Sequence, residues 1–449
     1  MATAPPPIQG PLSGLTITDL RVHSIAIADP PLRSSYGLHQ PYALRTILEL
    51  VSDAGHVGLA ETHGGDVIAG QFAAVRERLV GRDAFTVMAS LLPMIDPASA
   101  PAGDRSQTYA VPGENPFDAG NRLFSAIELA CLDLIGRALG RPVCDLLGGR
   151  ARSAVPFSAY LFYKHAGGGG EGADAREDEY GEGLTPEALV LQARQMCATY
   201  GFREIKLKAG VLDPPVEIAT MQALYAAFGD GVPLRIDPNC AWSVPTSIDV
   251  GLALRHELGR GGYLEDPCAG LEGMAAVRRA LLDAGVDTPL ASNVAVTSFA
   301  DLPAAVRQDA VQIVLCDPHY WGGVRQIQHL ARLCQTFGVG LSMHSNSHLG
   351  VSLMAMTHAA AAAPHLTFAC DTHYPWQFAA DEVVDGGRIP FVDGCVVIPE
   401  RPGLGIDLDH DALARGRERY ARCPYRRRDD EVEMRKHIDP AWTRRLPRW

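Results

Sequence analysis

The sequence is short of the features that mark several large protein classes. Its ten cysteines form no Cys-x-x-Cys pair and sit mostly inside apolar runs, so a disulfide framework or zinc ribbon is not expected and buried, reduced thiols are. No stretch reaches the ~18 apolar residues that a membrane span needs, and Met1–Pro7 has neither the basic leader nor the apolar core of a secretory signal. Positive charge is scarce as well. The 40 Lys+Arg face 52 Asp+Glu, a net charge of −12, which argues against nucleic acid as the main partner. An acidic small molecule would then need a local cluster of cations, for which Lys206, Lys208 and Arg428 are candidates. His-x-His is absent, which discounts zinc, and no Gly-x-Gly-x-x-Gly stands in a nucleotide-binding context. The expected setting is the cytoplasm, away from membranes.

What is present begins with size. At 449 residues, 47% apolar and 20% charged, the chain has room for a barrel of roughly 250 residues plus a second domain. Residues 1–14, with three consecutive prolines, read as a flexible tail. Residues 15–150 read as an α+β domain. Within it Leu44–Val51 and His56–Glu61 alternate as antiparallel strands around Asp53-Ala54-Gly55, and Asn121–Gly140 has helical spacing. Residues 151–406 repeat β then α, and 407–449 form a charged segment expected to pack back toward the first domain. The alanine-rich stretch 353–363 is a buried-helix candidate. Residues 164–184, with Gly167–Gly170 and six acidic side chains, have the composition of a mobile rim loop. Thr185-Pro186 supplies an N-cap and a first-turn proline for the next helix.

Eight short strand-like runs fall in the third region: Ala154–Phe162, Arg203–Lys208, Leu234–Asn239, Gly262–Glu265, Pro289–Asn293, Val311–Asp317, Val339–His344 and Leu366–Asp371. Polar residues close seven of them. Lys208, Asp237, Glu265, Asn293, Asp317, His344 and Asp371 are spaced 29, 28, 28, 24, 27 and 27 residues apart, about one βα unit each. In a closed parallel barrel the C-terminal strand ends share one rim, so these groups would converge on one pocket.

Their identities suggest a chemistry. Asp237, Glu265 and Asn293 offer three oxygens on consecutive strands, suited to a hard divalent cation, Mg²⁺ before others. Single acids at strand ends also cap helices or pair with lysine, an alternative that thins when three stand in register. Lys206 and Lys208 share one strand face, and mutual repulsion is expected to make one of them a usable base. Asp317 would hold the second nitrogen of His344 and fix its tautomer. A base facing a second acid/base across a cation is what removal of a proton beside a carboxylate demands.

These residues carry a resemblance. Tyr160-Leu161-Phe162, Lys206-Leu207-Lys208, Asp237-Pro238-Asn239, Glu265-Asp266-Pro267-Cys268, Asn293, Asp317-Pro318-His319, His344-Ser345-Asn346, Asp371-Thr372-His373 and Pro402-Gly403-Leu404-Gly405 together resemble the enolase superfamily, and within it the glucarate dehydratases, over nearly the whole chain. The resemblance implies an α/β fold: an enolase-type (β/α) barrel, a modified TIM barrel, with an N-terminal α+β capping domain. It also implies Mg²⁺ held by Asp237, Glu265 and Asn293, and an acid-sugar substrate in a homo-oligomeric enzyme. Lys208 would be one base with Lys206 as its electrostatic partner. His344, oriented by Asp317, would be the opposite base and the acid for the leaving hydroxide, and Asn239 would join the catalytic set. His39, Tyr160, Phe162, Asn346, His373 and Arg428 would touch substrate. The asparagine is the most telling, since most of the superfamily has a carboxylate there. Cys240 stands where the family has glycine, and the family's substrate-touching capping-domain threonine is assigned no counterpart. The expected reaction is dehydration of D-glucarate and L-idarate to 5-dehydro-4-deoxy-D-glucarate. Alternatives are dehydration of another acid sugar, a metal-free Schiff-base aldolase and a non-catalytic sugar-acid binder.

Overall fold

The computed structural model describes residues 14–94 and 119–449, so the expected tail lies outside the described residues except for Gly14. The chain first builds an antiparallel sheet. β1 (Ile17–Ala28) is followed by the small hairpin β2 (Arg33–Ser34) and β3 (Gly37–Leu38), then by β4 (Tyr42–Ser52) and β5 (Val57–His63). The main sheet runs β1-β4-β5, with Leu20 opposite Leu50 and Leu48 opposite Ala60, so apolar side chains from all three strands meet on one side. Gly55, at φ 80°, makes the turn that the Asp53-Ala54-Gly55 motif predicts.

Helices α1 (Asp66–Leu79), α2 (Ala84–Met94), α3 (Ala119–Leu139) and α4 (Val143–Leu146) follow. The helix expected over 121–140 is α3, and Gly140 at φ 65° leaves it in the left-handed region. α3 lies so close to β5 that a Cβ on Gly58 would sit 1.9 Å from the Ala130 carbonyl oxygen. Asp133 of α3 is fully buried and accepts hydrogen bonds from Leu59 N at 2.8 Å, Leu404 N at 2.6 Å and Arg137 Nε at 3.1 Å. It thereby ties the helix to both parts of the molecule.

The barrel follows as β6 (Ala154–Pro156), β7 (Ala159–Phe162), α5 (Pro186–Tyr200), β8 (Ile205–Lys208), α6 (Pro214–Phe228), β9 (Leu234–Asp237), α7 (Val244–Ala253), β10 (Tyr263–Glu265), α8 (Gly270–Asp283), β11 (Leu290–Ser292), α9 (Leu302–Arg307), β12 (Ile313–Cys316), α10 (Val324–Phe337), β13 (Gly340–Met343), α11 (Gly350–Ala362) and β14 (Cys395–Val397). β7 through β13 form one parallel sheet in chain order, curled and screened by helices, which is why its strands read as near-continuous apolar runs. α10 shows the helical half of the pattern: Val324, Ile327, Leu330, Ala331 and Cys334 are its buried face, and Leu330→Ala would cost about 2–5 kcal/mol. Thr185 Oγ1 accepts from Ala188 N at 3.3 Å, capping α5 as its sequence predicts.

Two of the eight expected strands differ. In the first run, β6 leaves the ring to pair antiparallel with β14, and only β7 joins the parallel sheet. In the last, residues 366–371 make a single parallel bridge, Phe157 to Cys370. Thr367 N and Phe368 N both bond the Leu341 carbonyl, at 3.0 and 3.2 Å, and that doubling breaks the ladder. The segment still closes the ring, because Asp371 N bonds Met343 O and Ser158 N bonds Cys370 O, each at 2.9 Å.

α12 (His410–Arg422) then packs on β1 and α13 (Asp430–His437) on β3. All ten cysteines are free, eight of them buried. No helix among the described residues is long and apolar enough to cross a membrane.

Candidate active site

Strand register places the polar groups. Lys208 pairs with Asp237 across β8 and β9, and Phe162 with Lys208 across β7 and β8. Asp237 and Glu265 are the last residues of their strands, while Asn293, Asp317 and His344 each stand one residue past theirs. All lie at the C-terminal rim, and all are at least 94% buried.

One wall of the rim is a lysine–carboxylate cluster. Lys206, fully buried, puts Nζ 2.6 Å from Asp371 Oδ2, 2.6 Å from Glu265 Oε2 and 3.5 Å from Asp237 Oδ2. Burial opposes its charge, but Asp371 and Glu265 hold it well above the usual lysine range. The expected softening of Lys206 by its neighbour Lys208 is therefore corrected: three carboxylates outweigh one ammonium. Lys208 Nζ lies 2.7 Å from Asp237 Oδ2. Although burial raises it, Asp237 is held below the ordinary carboxyl range by Lys208 and Lys206.

The set has capacity for a cation. Three carboxylates against two ammonium groups leave one negative charge, and burial together with Asp237 pushes the Glu265 carboxyl well above its usual range. Neither Glu265 oxygen makes a hydrogen bond, since Lys206 is close without being aligned, and both polar side-chain atoms of buried Asn293 lack partners. Unpartnered buried groups of this kind are costly unless something fills them. Among the described residues no three His, Cys, Asp or Glu side chains form a metal-binding group, so a cation here needs the asparagine oxygen beside two carboxylates. Such an oxygen-only set fits Mg²⁺.

The other wall is built on Asp317. Its Oδ2 lies 2.9 Å from His344 Nδ1, as expected, and its Oδ1 lies 2.6 Å from His319 Nδ1. Burial raises the Asp317 carboxyl, yet His319 and His344 together depress it far below the usual range. With Nδ1 of His344 engaged, Nε2 is left for chemistry.

The remaining predicted residues fall into two groups. Tyr160, Phe162 and His373 form an aromatic floor, with His373 4.9 Å from the Tyr160 ring and 5.0 Å from Phe162. Burial, with His39 nearby, holds His373 well below the usual imidazole range. His39 Nδ1 is 3.0 Å from Asp29 Oδ2, and its ring meets Phe162 edge-on at 6.1 Å. Asn239 N bonds Asp237 Oδ1 at 2.9 Å, and Asn346 Nδ2 reaches Asp317 Oδ2 at 3.4 Å. Arg428 stands apart. Its guanidinium is paired bidentately with Asp430 at 2.6–2.7 Å, and the next residue, Asp429, bonds Gln40 beside His39 at 2.7 Å.

Several partners escape a reading by strand ends. Asp371 has the periodic spacing but acquires a role only as the counter-ion of Lys206. From the capping hairpin the Tyr36 hydroxyl donates to Asn239 Oδ1, and Ser35 Oγ reaches Asn239 O at 3.4 Å. Asn239, Cys240 and Asp266 have φ of 46°, 60° and 35°, so Cys240 takes a conformation for which glycine is the natural residue. The loop 164–184, mobile by composition, is anchored. Lys164 Nζ holds both Asp178 oxygens at 2.8 Å, and Arg422 Nη2 is 2.9 Å from Asp174 Oδ2. Asp178 thus finds its cation within the loop, and Asp174 finds one 248 residues away.

Comparison with known proteins bears on this arrangement. Residues 188–412 match the family model described as enolase C-terminal domain-like. The chain is 45% identical to a probable glucarate dehydratase of Streptomyces coelicolor over 448 residues, covering 97% of this chain and 99% of the relative. Among solved structures, an enolase from Pseudomonas fluorescens with bound magnesium, potassium and tartrate superposes with a TM-score of 0.90 at 46% identity, over 98% of this chain and 100% of that one. An enolase from Thermobispora bispora complexed with magnesium and formate gives 0.87 at 48% identity, over 97% and 100%.

Proposed function

The chain belongs to the enolase superfamily, and from that premise we propose that it dehydrates a six-carbon diacid sugar, D-glucarate together with L-idarate, to 5-dehydro-4-deoxy-D-glucarate. The observation that carries the reading is that Lys208 and His344 reach one rim from the second and seventh strands of the sheet, each paired with an aspartate, with the unpartnered Asn293 amide at the same rim. Asp237, Glu265 and Asn293 would hold Mg²⁺, which when bound would neutralise the charge developing on the substrate carboxylate. Lys208 would take the C5 proton of D-glucarate, and His344 that of L-idarate. His344 would then return a proton to the departing 4-hydroxyl, with Asp317 stabilising the charged imidazole. Lys206, kept protonated by Asp371 and Glu265, would add a fixed positive charge at the same place. The relative's printed name and the tartrate in one neighbouring structure agree with a hydroxylated diacid.

The test is a panel of mono- and diacid sugars assayed with Mg²⁺ and again after exhaustive chelation. D-glucarate and L-idarate should turn over, converge on one product and stop on chelation. Preferred turnover of a monoacid, or full activity of the metal-free protein, would overturn the reading.

A further inference from the structure

The Asp317 carboxylate is enclosed by a ring of hydrogen bonds that leaves the barrel. Arg45, on β4 of the capping sheet, is 2% exposed and reaches two barrel residues: Nη1 lies 3.2 Å from Asn346 Oδ1, and Nη2 lies 3.5 Å from Ser352 Oγ. From Asn346 one branch continues through Nδ2 to Asp317 Oδ2 at 3.4 Å. From Ser352 the other continues to His319 Nε2 at 2.9 Å, and His319 Nδ1 meets Asp317 Oδ1 at 2.6 Å. Each oxygen of the carboxylate that holds His344 is therefore reached from Arg45 by its own branch.

The polarity of the ring matters because a guanidinium can only donate. Facing Arg45, the Asn346 side chain must present Oδ1, which turns Nδ2 toward Asp317, so the guanidinium and the carboxylate select the same amide orientation. Arg45 is itself fixed. Its Nε donates to Glu61 Oε1 at 2.8 Å, and Glu61 accepts from Leu349 N and Ser352 N at the start of α11, each at 2.9 Å. A two-pronged, delocalised donor suits this task, and a lysine in its place would offer a point charge without the fork.

We propose that Arg45 is a positioning residue for the His344–Asp317 pair, orienting the carboxylate through both branches so that docking of the capping sheet aims the imidazole. The inference rests on His344 being the second base of the proposed reaction. Its first test needs no substrate. In ¹⁵N-histidine-labelled protein, the imidazole N–H protons that His344 and His319 donate to Asp317 should stand downfield, and their separate loss in His344→Asn and His319→Gln assigns them. Arg45→Lys should shift or broaden the His344 proton, and Ser352→Ala, which cuts only one branch, should move the His319 proton first. The second test reads deuterium exchange at C5. Arg45→Lys should slow exchange of L-idarate through His344 roughly 10–100-fold, the cost of a misaimed group, while exchange of D-glucarate through Lys208 stays within about threefold. Unmoved N–H protons in both variants, or equal loss on the two epimers, would overturn the role of Arg45. Exchange of neither epimer by the wild-type protein would instead refute the functional reading, and the N–H protons alone would then decide the positioning claim. Should Arg45→Lys fail to fold, Ser352→Ala carries both measurements.

Discussion

The lysine wall and the histidine wall face one rim but are built from different material. Lys206, Lys208, Asp237, Glu265 and Asp371 all come from the barrel, and hydrogen-bonded register sets the neighbouring strands β8 and β9 side by side. Their order follows from strand pairing, and their energetics from packing five charges where water is excluded. On the other wall, His344 and Asp317 also come from strand ends, yet the carboxylate is reached from Arg45, 301 residues before its partner Asn346 in sequence. The ion pairs of the lysine wall are therefore all made within the barrel, and among the described residues the capping hairpin touches them only through Asn239, whereas the histidine wall has a capping-sheet guanidinium at the head of its relay. On the proposed reading, the rim combines a base held by ion pairs within the barrel with one whose aim depends on the capping sheet being seated.

The largest expected effect comes from deleting either proposed base. Lys208→Ala should lower dehydration of D-glucarate by about 10²–10⁴-fold while C5 exchange of L-idarate through His344 persists. His344→Asn should lose dehydration of both epimers and keep exchange of D-glucarate. Deuterium incorporation followed by NMR checks both, and intact glucarate dehydration without Lys208 would end the division of labour between the walls.

Stability separates the walls next. Lys206→Met leaves buried carboxylates without their counter-ion and should cost roughly 3–5 kcal/mol in urea unfolding without metal. Ser352→Ala, which breaks one link of the relay, should cost about 1 kcal/mol. Equal losses would erase the contrast.

Asn293→Asp should retain metal in calorimetric titration but slow diacid turnover roughly tenfold, equivalent to about 1.4 kcal/mol of barrier, because the added charge opposes a dianion. Faster turnover would contradict the account of the amide. The smallest effect is expected at Arg428, whose pair with Asp430 is partly exposed. Arg428→Ala should reduce kcat/KM for diacids about fivefold more than for monoacids, the scale of a ~1 kcal/mol surface charge. Equal loss on both classes would place Arg428 outside substrate recognition.

Much of this was legible beforehand. The seven polar residues could be placed because a βα unit has a nearly constant length and a parallel sheet aligns its strand ends, so spacing alone puts them on one rim. The reading was weaker where local pattern and tertiary pairing diverge. The run 366–371 has strand composition, but its doubled bond to Leu341 breaks the ladder, and the Lys206–Lys208 pair suggested mutual repulsion until Asp371 and Glu265 appeared beside it. Loop 164–184 has the composition of a mobile segment, and only the distant Arg419 and Arg422 reveal what holds its acid Asp174.

The sequence by itself determined the barrel, the order of groups around its rim and the oxygen-only character of Asp237, Glu265 and Asn293, because these depend on periodicity and residue type. Only the tertiary structure decided which carboxylate faces which cation, how Asp317 is divided between His319 and His344, and that Arg45 reaches Asn346. The first two depend on how side chains from different strand ends converge on the rim and the last on the capping sheet meeting the barrel, and a distance between two such side chains is not encoded in the sequence spacing of either one.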